Sequence, residues 1–303
     1  MFEFLEQQHV SADLVEGLRR FRAAHPTPTD QAYRVPAPHV HYRGRDIWEQ
    51  AATALLCGDN LLLSGPKATG KNVLADDLAF AFGRPMWNVS FHIDVDAAYL
   101  MGSDTFRNGA VEFRPGPIAS CAEHGGFGVL DEINMARSEA LAVLHSTLDY
   151  RRIIDVPGYD LVRLDDACRF IGTMNVGYAG TRELNEALTS RFVVISMPTL
   201  DVEGTERLLA DTFPALTRTA RHQFALLFDE IRAKCAAGEL SDRALDLRGL
   251  IDAIELAQNG LNIRRALQIC IVNKTFDRYE RGLAQDVIDA RLPRSLAKGA
   301  LFE

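Results

Sequence analysis

A glycine-rich stretch at residues 65–71 has residue types and spacing suited to holding phosphate. It reads Gly-Pro-Lys-Ala-Thr-Gly-Lys and fits the pattern G-x-x-x-x-G-K. In such a loop the backbone N–H groups point at a bound anion, and Lys71 can reach the β- and γ-phosphates. The leucines at 61–63 predict a buried strand before the loop, and an amphipathic pattern at 73–82 predicts a helix after it. This context favours a nucleotide loop over an ordinary glycine turn. Its predicted ligands are Gly65, Pro66, Lys67, Ala68, Thr69, Gly70, Lys71, Asn72 and Val73.

A carboxylate pair ends a second apolar run about sixty residues further on, at Asp131 and Glu132. Side chains alternate along a strand, so the two neighbours point in different directions. Asp131 can hold magnesium, often through water, and Glu132 can polarise the attacking water. Such a pair alone is usually a solvated strand edge. Together with the phosphate loop it predicts metal-dependent phosphoryl chemistry.

A third polar residue, Asn175, closes the apolar run RFIGTMN. A neutral amide at a strand end beside Asp131 could orient the attacking water by hydrogen bonds. Without the other motifs, an Asn before Val176-Gly177 would be a turn-forming residue. Asn175 is therefore a candidate catalytic residue that depends on the other two motifs.

Five short apolar runs alternate with helical patterns, which predicts a parallel sheet buried on both faces. They are residues 60–65, 85–90, 127–132, 169–175 and 192–197. After Pro198 strand signals stop and four helical patterns follow. The predicted fold is an α/β P-loop sheet sandwiched by helices and followed by an all-helical lid domain. The predicted domains are a helical arm with a Pro-rich linker at 1–36, the nucleotide-binding domain at 37–198 and the lid at 199–303.

The composition is that of a soluble globular protein, with 47% hydrophobic and 24% charged residues among 303. A formal charge of −8 argues against a generally basic nucleic-acid surface. The five cysteines are scattered, which favours reduced core thiols over a disulfide framework or a zinc site. The sequence shows no leader and no apolar run of about 20 residues that could span a bilayer. We therefore expect a cytoplasmic protein without a membrane association.

Two histidine-containing segments could suggest a metal but lack support. His92, Asp94 and Asp96 alternate along an extended run, which favours a capped loop. His39 and His41 are interpreted as an isolated pair in the arm, without Cys or carboxylate partners. Neither segment is predicted to hold a metal.

The chain resembles the MoxR branch of the AAA+ ATPases, close to the activators of nitric-oxide reductase and Rubisco. The resemblance runs from about residue 40 to the C-terminus and rests on linked motifs. GPKATGK is similar to the Walker A loop, GFGVLDEIN to the Walker B strand and GTMN to the sensor-1 strand. GTRELNEALTSRF is similar to the segment that ends in the arginine finger, and DLRGLIDAIELA to the sensor-2 helix.

The resemblance assigns the arginine finger to Arg191, with Arg182 as a weaker candidate, and sensor 2 to Arg248, with Arg243 as runner-up. An arginine finger stabilises charge on the transferring phosphoryl group, an effect of about 10³–10⁵ in rate. If Arg191 lies far from its own loop, it must act on a neighbouring copy. The alternative is a helix-terminal arginine paired to an acid such as Glu183 or Glu186.

Two further segments resemble family insertions, a helix-2 insert at 102–119 and a hairpin before sensor 1 at 146–164. In the family both loops face the axial pore or the substrate. The resemblance makes four arginines candidate pore-facing cations, and solvated basic hairpin tips are an equal alternative. These arginines are Arg107, Arg114, Arg151 and Arg152.

The resemblance implies ATP and Mg²⁺ as cofactors and a homo-oligomeric ring, expected to be a hexamer, that remodels or activates a protein client. It also implies a partner with a von Willebrand factor A domain. A second hypothesis is a nucleotide-gated assembly scaffold with little or no hydrolysis. A third is a nucleic-acid motor, against which stand the acidic charge and the lack of a basic stripe.

Two residues of the phosphate loop depart from the family pattern. Ala68 stands where a third loop glycine is usual, and a positive φ there would cost Ala about 1 kcal/mol relative to Gly. Asn72 replaces a Ser or Thr hydroxyl, a neutral magnesium ligand. Its amide oxygen is also neutral but lies one atom further out, so it could bind the metal directly, bind through water, or leave it to Asp131. Because the other motif residues are retained, we expect a competent but slow ATPase.

Overall fold

The computed structural model describes residues 1–107, 109–155, 161–176, 183–292 and 298–303. Contacts within the chain divide it into two compact units. The first comprises residues 1–66 and 70–197, and the second comprises residues 67–69 and 198–303.

The centre of the first unit is a five-stranded parallel sheet of order β2-β5-β8-β1-β9. All five predicted strands are present, and the prediction of a P-loop-like α/β fold is confirmed. Two short antiparallel pairs, β3 with β4 and β6 with β7, lie outside this sheet. The strands are β1 (Asn60–Gly65), β2 (Met86–Ser90), β3 (Gly102–Arg107), β4 (Ala110–Pro115), β5 (Phe127–Asp131), β6 (Ile153–Ile154), β7 (Val162–Arg163), β8 (Arg169–Asn175) and β9 (Phe192–Ser196).

Helices cover both faces of the parallel sheet. Successive side chains of a strand point to opposite faces, and each face packs into its own hydrophobic cluster. Leu61 and Leu63 of β1 belong to one hydrophobic cluster, and Leu62 belongs to the other. All three are at most 1% exposed, as expected for a parallel strand buried on both sides. The helices of this unit are α1 (Phe2–Gln7), α2 (Ala12–Ala24), α3 (Arg45–Cys57), α4 (Lys71–Phe82), α5 (Ala97–Met101), α6 (Pro117–Glu123), α7 (Ser138–Thr147) and α8 (Glu186–Thr189).

The N-terminal arm packs on the nucleotide-binding domain of its own chain. Leu18 and Phe21 of α2 share a hydrophobic cluster with Trp48 of α3 and Phe82 of α4. The rings of Phe21 and Phe82 meet edge to face, with centroids 4.9 Å apart. Residues 1–36 therefore belong to the same compact unit as the sheet, a point that the sequence left open.

Both segments predicted as insertions contain antiparallel pairs. In the first, β3 and β4 pair from Gly102 opposite Pro115 to Arg107 opposite Ala110. The second contains the two-residue strands β6 and β7, and its residues 156–160 lie outside the described part of the chain.

The second unit is helical after Pro198, as predicted. Its helices pack around one hydrophobic cluster that includes Leu209, Phe224, Leu250 and Ile288. The described helices of the chain are each too short or too polar to cross a membrane. The helices of this unit are α9 (Val202–Thr212), α10 (Arg218–Ala236), α11 (Leu247–Gln258), α12 (Ile263–Cys270), α13 (Arg278–Arg291) and α14 (Lys298–Leu301).

Candidate functional site

The phosphate loop connects the end of β1 to the start of α4. Gly70 is the N-cap residue of α4 at φ +80°, a conformation that glycine adopts without a steric cost. The Lys71 ammonium turns back and donates to the carbonyl oxygens of Gly65 at 2.9 Å and Pro66 at 2.7 Å. Burial lowers the pKa of Lys71 to about 8, although the charges of Asp131 and Glu132 oppose this shift. The lysine thus lies inside the loop and close to both carboxylates.

Ala68 has φ +62°, so the cost considered for a positive φ at this position applies. We expect Ala68→Gly to stabilise the protein by about 1 kcal/mol, because glycine meets no Cβ clash there. Gly238 is a matched site for the reverse substitution. Its φ is +73°, and a Cβ added there would meet no atom within 4 Å. Gly238→Ala should destabilise by a similar amount. Thermal unfolding of the two variants measures both, and an unchanged midpoint for Ala68→Gly would contradict the strain argument.

The carboxyl ends of three neighbouring strands bring together two of the predicted catalytic side chains, Glu132 and Asn175, and the predicted metal ligand Asp131. Gly65 lies opposite Asn175 in the register of β1 and β8. Asn175 Nδ2 donates to Glu132 Oε1 at 3.1 Å. Glu132 itself has φ +54°, an unusual conformation that reorients the chain directly after β5. Asp131, Glu132 and Asn175 therefore meet at the sheet edge where β1 enters the phosphate loop.

Thr173 organises this end of the sheet, although it was not among the predicted site residues. Its hydroxyl donates to Asp131 Oδ1 at 2.6 Å and accepts the Glu132 N–H at 3.1 Å. It thus fixes both members of the carboxylate pair with one side chain. The available signal was its spacing of two residues from Asn175, which puts both on one face of β8.

Asn134 and Asp76 were also not predicted. Asn134 is 2% exposed and donates from Nδ2 to the carbonyl oxygen of Asn175 at 2.9 Å. Asp76 lies on α4 one turn after Asn72, and burial raises its pKa, with further contributions from Asp77 and Asp131. Asn72 itself is exposed at the start of α4. This end of the sheet therefore carries more polar side chains with oxygen atoms than the sequence motifs indicate.

Arg191 lies at the opposite end of the sheet, where β1 and β9 begin. It directly precedes Phe192, which is in register with Asn60 at the amino end of β1. The phosphate loop begins five residues later in that strand, about 17 Å away at the usual rise of 3.3 Å per residue. Arg191 is thus about one strand length from the phosphate loop of its own chain.

The Arg191 guanidinium pairs with an acid other than those expected. Its Nη2 is 3.6 Å from Asp149 Oδ2, its Nε donates to the His145 carbonyl at 3.1 Å, and its Nη1 donates to the Ala187 carbonyl. The alternative to the arginine-finger role named Glu183 or Glu186 as the acid. The structure gives Asp149 instead, because the end of α7 lies beside the start of β9. The Arg191 side chain remains 28% exposed and lines a cavity of about 770 Å³ together with Arg152 and Arg169.

The remaining predicted arginines are distributed over both units. Arg248 is the second residue of α11 and is exposed, and Arg243 lies 5.6 Å from the ring centroid of Phe276. Both belong to the second unit. Arg182 lies outside the described residues.

The four candidate pore arginines differ in their contacts. Arg107 and Arg114 are exposed on the β3–β4 hairpin. Arg151 pairs with Asp149 at 2.8 Å. Arg152 has φ +55°, and its Nη2 donates to the carbonyls of Asp165 at 2.7 Å and Cys168 at 3.2 Å.

Of the predictions for the two histidine segments, one is confirmed and one is wrong. The prediction of a capped loop is confirmed, because Asp96 caps α5 by accepting the Tyr99 N–H at 2.7 Å. Within the described residues, no three His, Cys, Asp or Glu side chains gather as a metal site. The prediction that His41 lacks a carboxylate partner is wrong, because its Nδ1 lies 2.7 Å from Asp77 Oδ1. Folding brings this partner from α4, 36 residues away.

A phosphate loop, a carboxylate pair and a polar amide at one edge of a parallel sheet define a P-loop nucleotide-binding domain. Residues 60–192 match the AAA domain of the dynein-related subfamily. YojN of Bacillus subtilis, an uncharacterized protein, is 34% identical over 244 residues, covering 79% of this chain and 80% of YojN. SSP1341 of Staphylococcus saprophyticus, also uncharacterized, is 34% identical over 255 residues, covering 80% of this chain and 95% of SSP1341.

The chain belongs to the family of YojN and contains an AAA domain of the dynein-related subfamily, a kind of domain that binds ATP. A crystal structure from Cytophaga hutchinsonii, of a protein provisionally assigned as an ATPase, is similar over 96% of this chain and 99% of that one. Its sequence identity to this chain is 16% and its TM-score is 0.45.

Proposed function

We propose that the protein is a MoxR-type ATPase that hydrolyses ATP in a homo-oligomeric ring, expected to be a hexamer, and remodels or activates a protein client. The observation that carries the proposal is the separation of its catalytic groups. Lys71, Glu132 and Asn175 gather at one end of the sheet, whereas Arg191 lies at the other end. One copy therefore lacks a complete set of charges around its own nucleotide, and an adjacent copy supplies the arginine.

In this mechanism each residue has one task. The loop N–H groups and Lys71 hold the phosphates. Glu132 polarises the attacking water, and Asn175 orients the Glu132 carboxylate through the bond at 3.1 Å. Arg191 of the adjacent copy stabilises the charge that develops on the transferring phosphoryl group. We assign Arg248 to sensor 2 by the family resemblance.

Magnesium fits the donors at the loop edge. Asp131 offers a carboxylate fixed by Thr173, and Asn72 offers a neutral amide oxygen. Mg²⁺ in nucleotide sites is held by one or two such groups together with the substrate phosphates. When bound, the ion neutralises phosphate charge. Asp131 and Asn72 are thus the proposed metal ligands.

The proposed client and partner follow from the resemblance to the MoxR branch. We expect a protein client at the inserts and a partner with a von Willebrand factor A domain. The β3–β4 hairpin offers an apolar pair, Phe106 opposite Val111, exposed by 76% and 66%. Exposed apolar pairs of this kind suit a protein ligand.

A second candidate function is an assembly scaffold that binds ATP and hardly hydrolyses it. Asn72 is the observation that favours it, because the usual metal-binding hydroxyl is replaced. Particle mass with and without ATP, measured together with phosphate release, separates the two functions. Assembly with release supports the ATPase. Assembly without release, at high protein concentration and with the partner present, supports the scaffold.

The Asn72→Thr variant tests how much the amide limits turnover. We expect kcat to stay equal or to rise by up to about tenfold, because the hydroxyl oxygen is a closer neutral ligand. Asn72→Val is the matched control, since Val has nearly the shape of Thr without the oxygen. We expect Asn72→Val to be slower than either. A Thr variant slower than the wild type would contradict the proposed metal role.

A further inference from the structure

Asp77 is a buried carboxylate on α4, the helix that starts at Lys71. It is 0% exposed, and a carboxylate in such a place needs hydrogen-bond donors. Two donors come from the segment at residues 37–44, which continues the arm into the nucleotide-binding domain. The Nδ1 of His41 lies 2.7 Å from Asp77 Oδ1, and the Tyr42 N–H donates to Oδ2 at 2.7 Å. This segment is thus tied to the second turn of the phosphate-loop helix.

The Tyr42 side chain reaches the phosphate loop itself. A Cβ added to Gly70 would lie 3.0 Å from Tyr42 Cδ2 and 3.3 Å from Cε2, so the ring packs directly against this glycine. Burial raises the pKa of Tyr42 to about 12, so its hydroxyl stays protonated at neutral pH. The Trp48 indole N–H donates to the Tyr42 carbonyl at 2.8 Å. Tyr42 is therefore fixed through both backbone polar groups while its ring supports the residue before Lys71.

The first helix covers His41. The ring of Phe4 in α1 lies 4.8 Å from the His41 ring, centroid to centroid. His41 keeps 27% of its side chain exposed. A chain of contacts thus runs from α1 through His41 to Asp77 and the helix of the phosphate loop.

We propose that His41 and Tyr42 are positioning residues that hold the phosphate loop in its nucleotide-binding conformation. The proposal rests on the proposed function in taking ATP as the ligand of this loop. A loop that holds its shape before ligand arrives avoids an ordering cost on binding, and a loop that samples other shapes binds more weakly in proportion. Because their contacts are with Asp77 and Gly70, loss of either residue acts on nucleotide affinity rather than on the chemical step.

The test compares single variants by titration with a fluorescent ATP analogue and by steady-state hydrolysis. We expect His41→Ala to weaken analogue binding and to raise KM by about tenfold, the effect of losing a hydrogen bond to a charged group, with kcat within about twofold. His41→Asn places an amide N–H close to the Nδ1 position and should restore affinity. Tyr42→Ala keeps the backbone bond to Asp77 but removes the ring, so it should also weaken binding.

Two exposed residues that precede His41 in the chain provide the matched controls. His39→Ala and Tyr33→Ala should leave affinity unchanged, since Tyr33 is 77% exposed and His39 is also exposed. A His41→Ala variant that melts earlier but binds the analogue normally while folded would overturn the proposal. A His41→Asn variant that folds but does not recover the affinity for the analogue would also overturn it. If His41→Ala does not fold, the affinities of Tyr42→Ala and Tyr33→Ala for the analogue are compared instead. Weaker binding by folded Tyr42→Ala alone supports the proposal, and normal binding by both variants overturns it.

The binding measurement separates this proposal from the proposed function. A wild type that binds the analogue without hydrolysing it would remove the ATPase mechanism, and the affinities of the variants would still decide the positioning role. A wild type that hydrolyses ATP, with all of these variants binding normally, would remove the positioning role alone. A wild type that binds no analogue would overturn both.

Discussion

Arg191→Ala is expected to lower kcat by about 10³–10⁵ while leaving ATP binding largely intact. The reason is that the guanidinium acts on the charge of the transition state and lies about one strand length, about 17 Å, from the loop that binds ATP in its own chain. Steady-state phosphate release measures the loss. Arg151→Ala is the matched control for phosphate release without a client, because Arg151 pairs with the same carboxylate, Asp149, but is not among the residues proposed to hydrolyse ATP.

The action on a neighbouring copy has its own test by mixing inactive variants. A copy with Arg191→Ala retains its loop and carboxylates, and a copy with Glu132→Gln retains its arginine. When the two are mixed, some interfaces combine the intact loop of one with the intact arginine of the other. We expect activity well above the sum of the separate variants. An unaltered rate in Arg191→Ala, or mixtures that stay inactive although the copies assemble, would refute action on a neighbour.

Glu132→Gln is expected to lower hydrolysis by about 10²–10⁴, because the amide cannot polarise the attacking water. ATP should still bind, since the phosphates are held by the loop and Lys71. Lys71→Ala should abolish hydrolysis and also weaken binding, because it removes the ammonium inside the loop. Phosphate release and titration with the ATP analogue separate the two effects.

Glu139→Gln is the matched control for the glutamate, since Glu139 is exposed in the first turn of α7. It should hydrolyse ATP at the wild-type rate. If Glu132→Gln kept the wild-type rate, Glu132 could not be the residue that activates water. The oriented carboxylate at the end of β5 would then need another role.

The parallel sheet could be predicted because its signals are local. Each strand is a short apolar run bounded by polar or turn residues, and the phosphate loop is marked by Gly65 and Gly70. The cost of an alanine at position 68 could also be considered from the loop pattern, although the positive φ itself comes from the structure. These features depend on neighbours in the sequence.

The contacts that the sequence analysis missed or misassigned join distant segments. His41 meets Asp77 across 36 residues, and Thr173 meets Asp131 across 42. Asp131 belongs to a motif and Thr173 lies two residues from Asn175, but nothing in the sequence shows that Thr173 bonds to Asp131 or His41 to Asp77. Such pairs arise only when helices and strands dock, because docking removes water from both groups and leaves them to satisfy each other.

The amino-acid sequence by itself determined that this chain forms a parallel sheet with a phosphate loop after its first strand and polar groups at the ends of two others. The apolar runs predict the strands and the glycines predict the loop, and both signals lie within the segments that they describe. Only the tertiary structure decided that Arg191 lies at the opposite end of the sheet from its own loop and pairs with Asp149, and that Tyr42 packs against Gly70. Strand order and register set these distances, and they follow from the packing of the whole sheet rather than from any one segment.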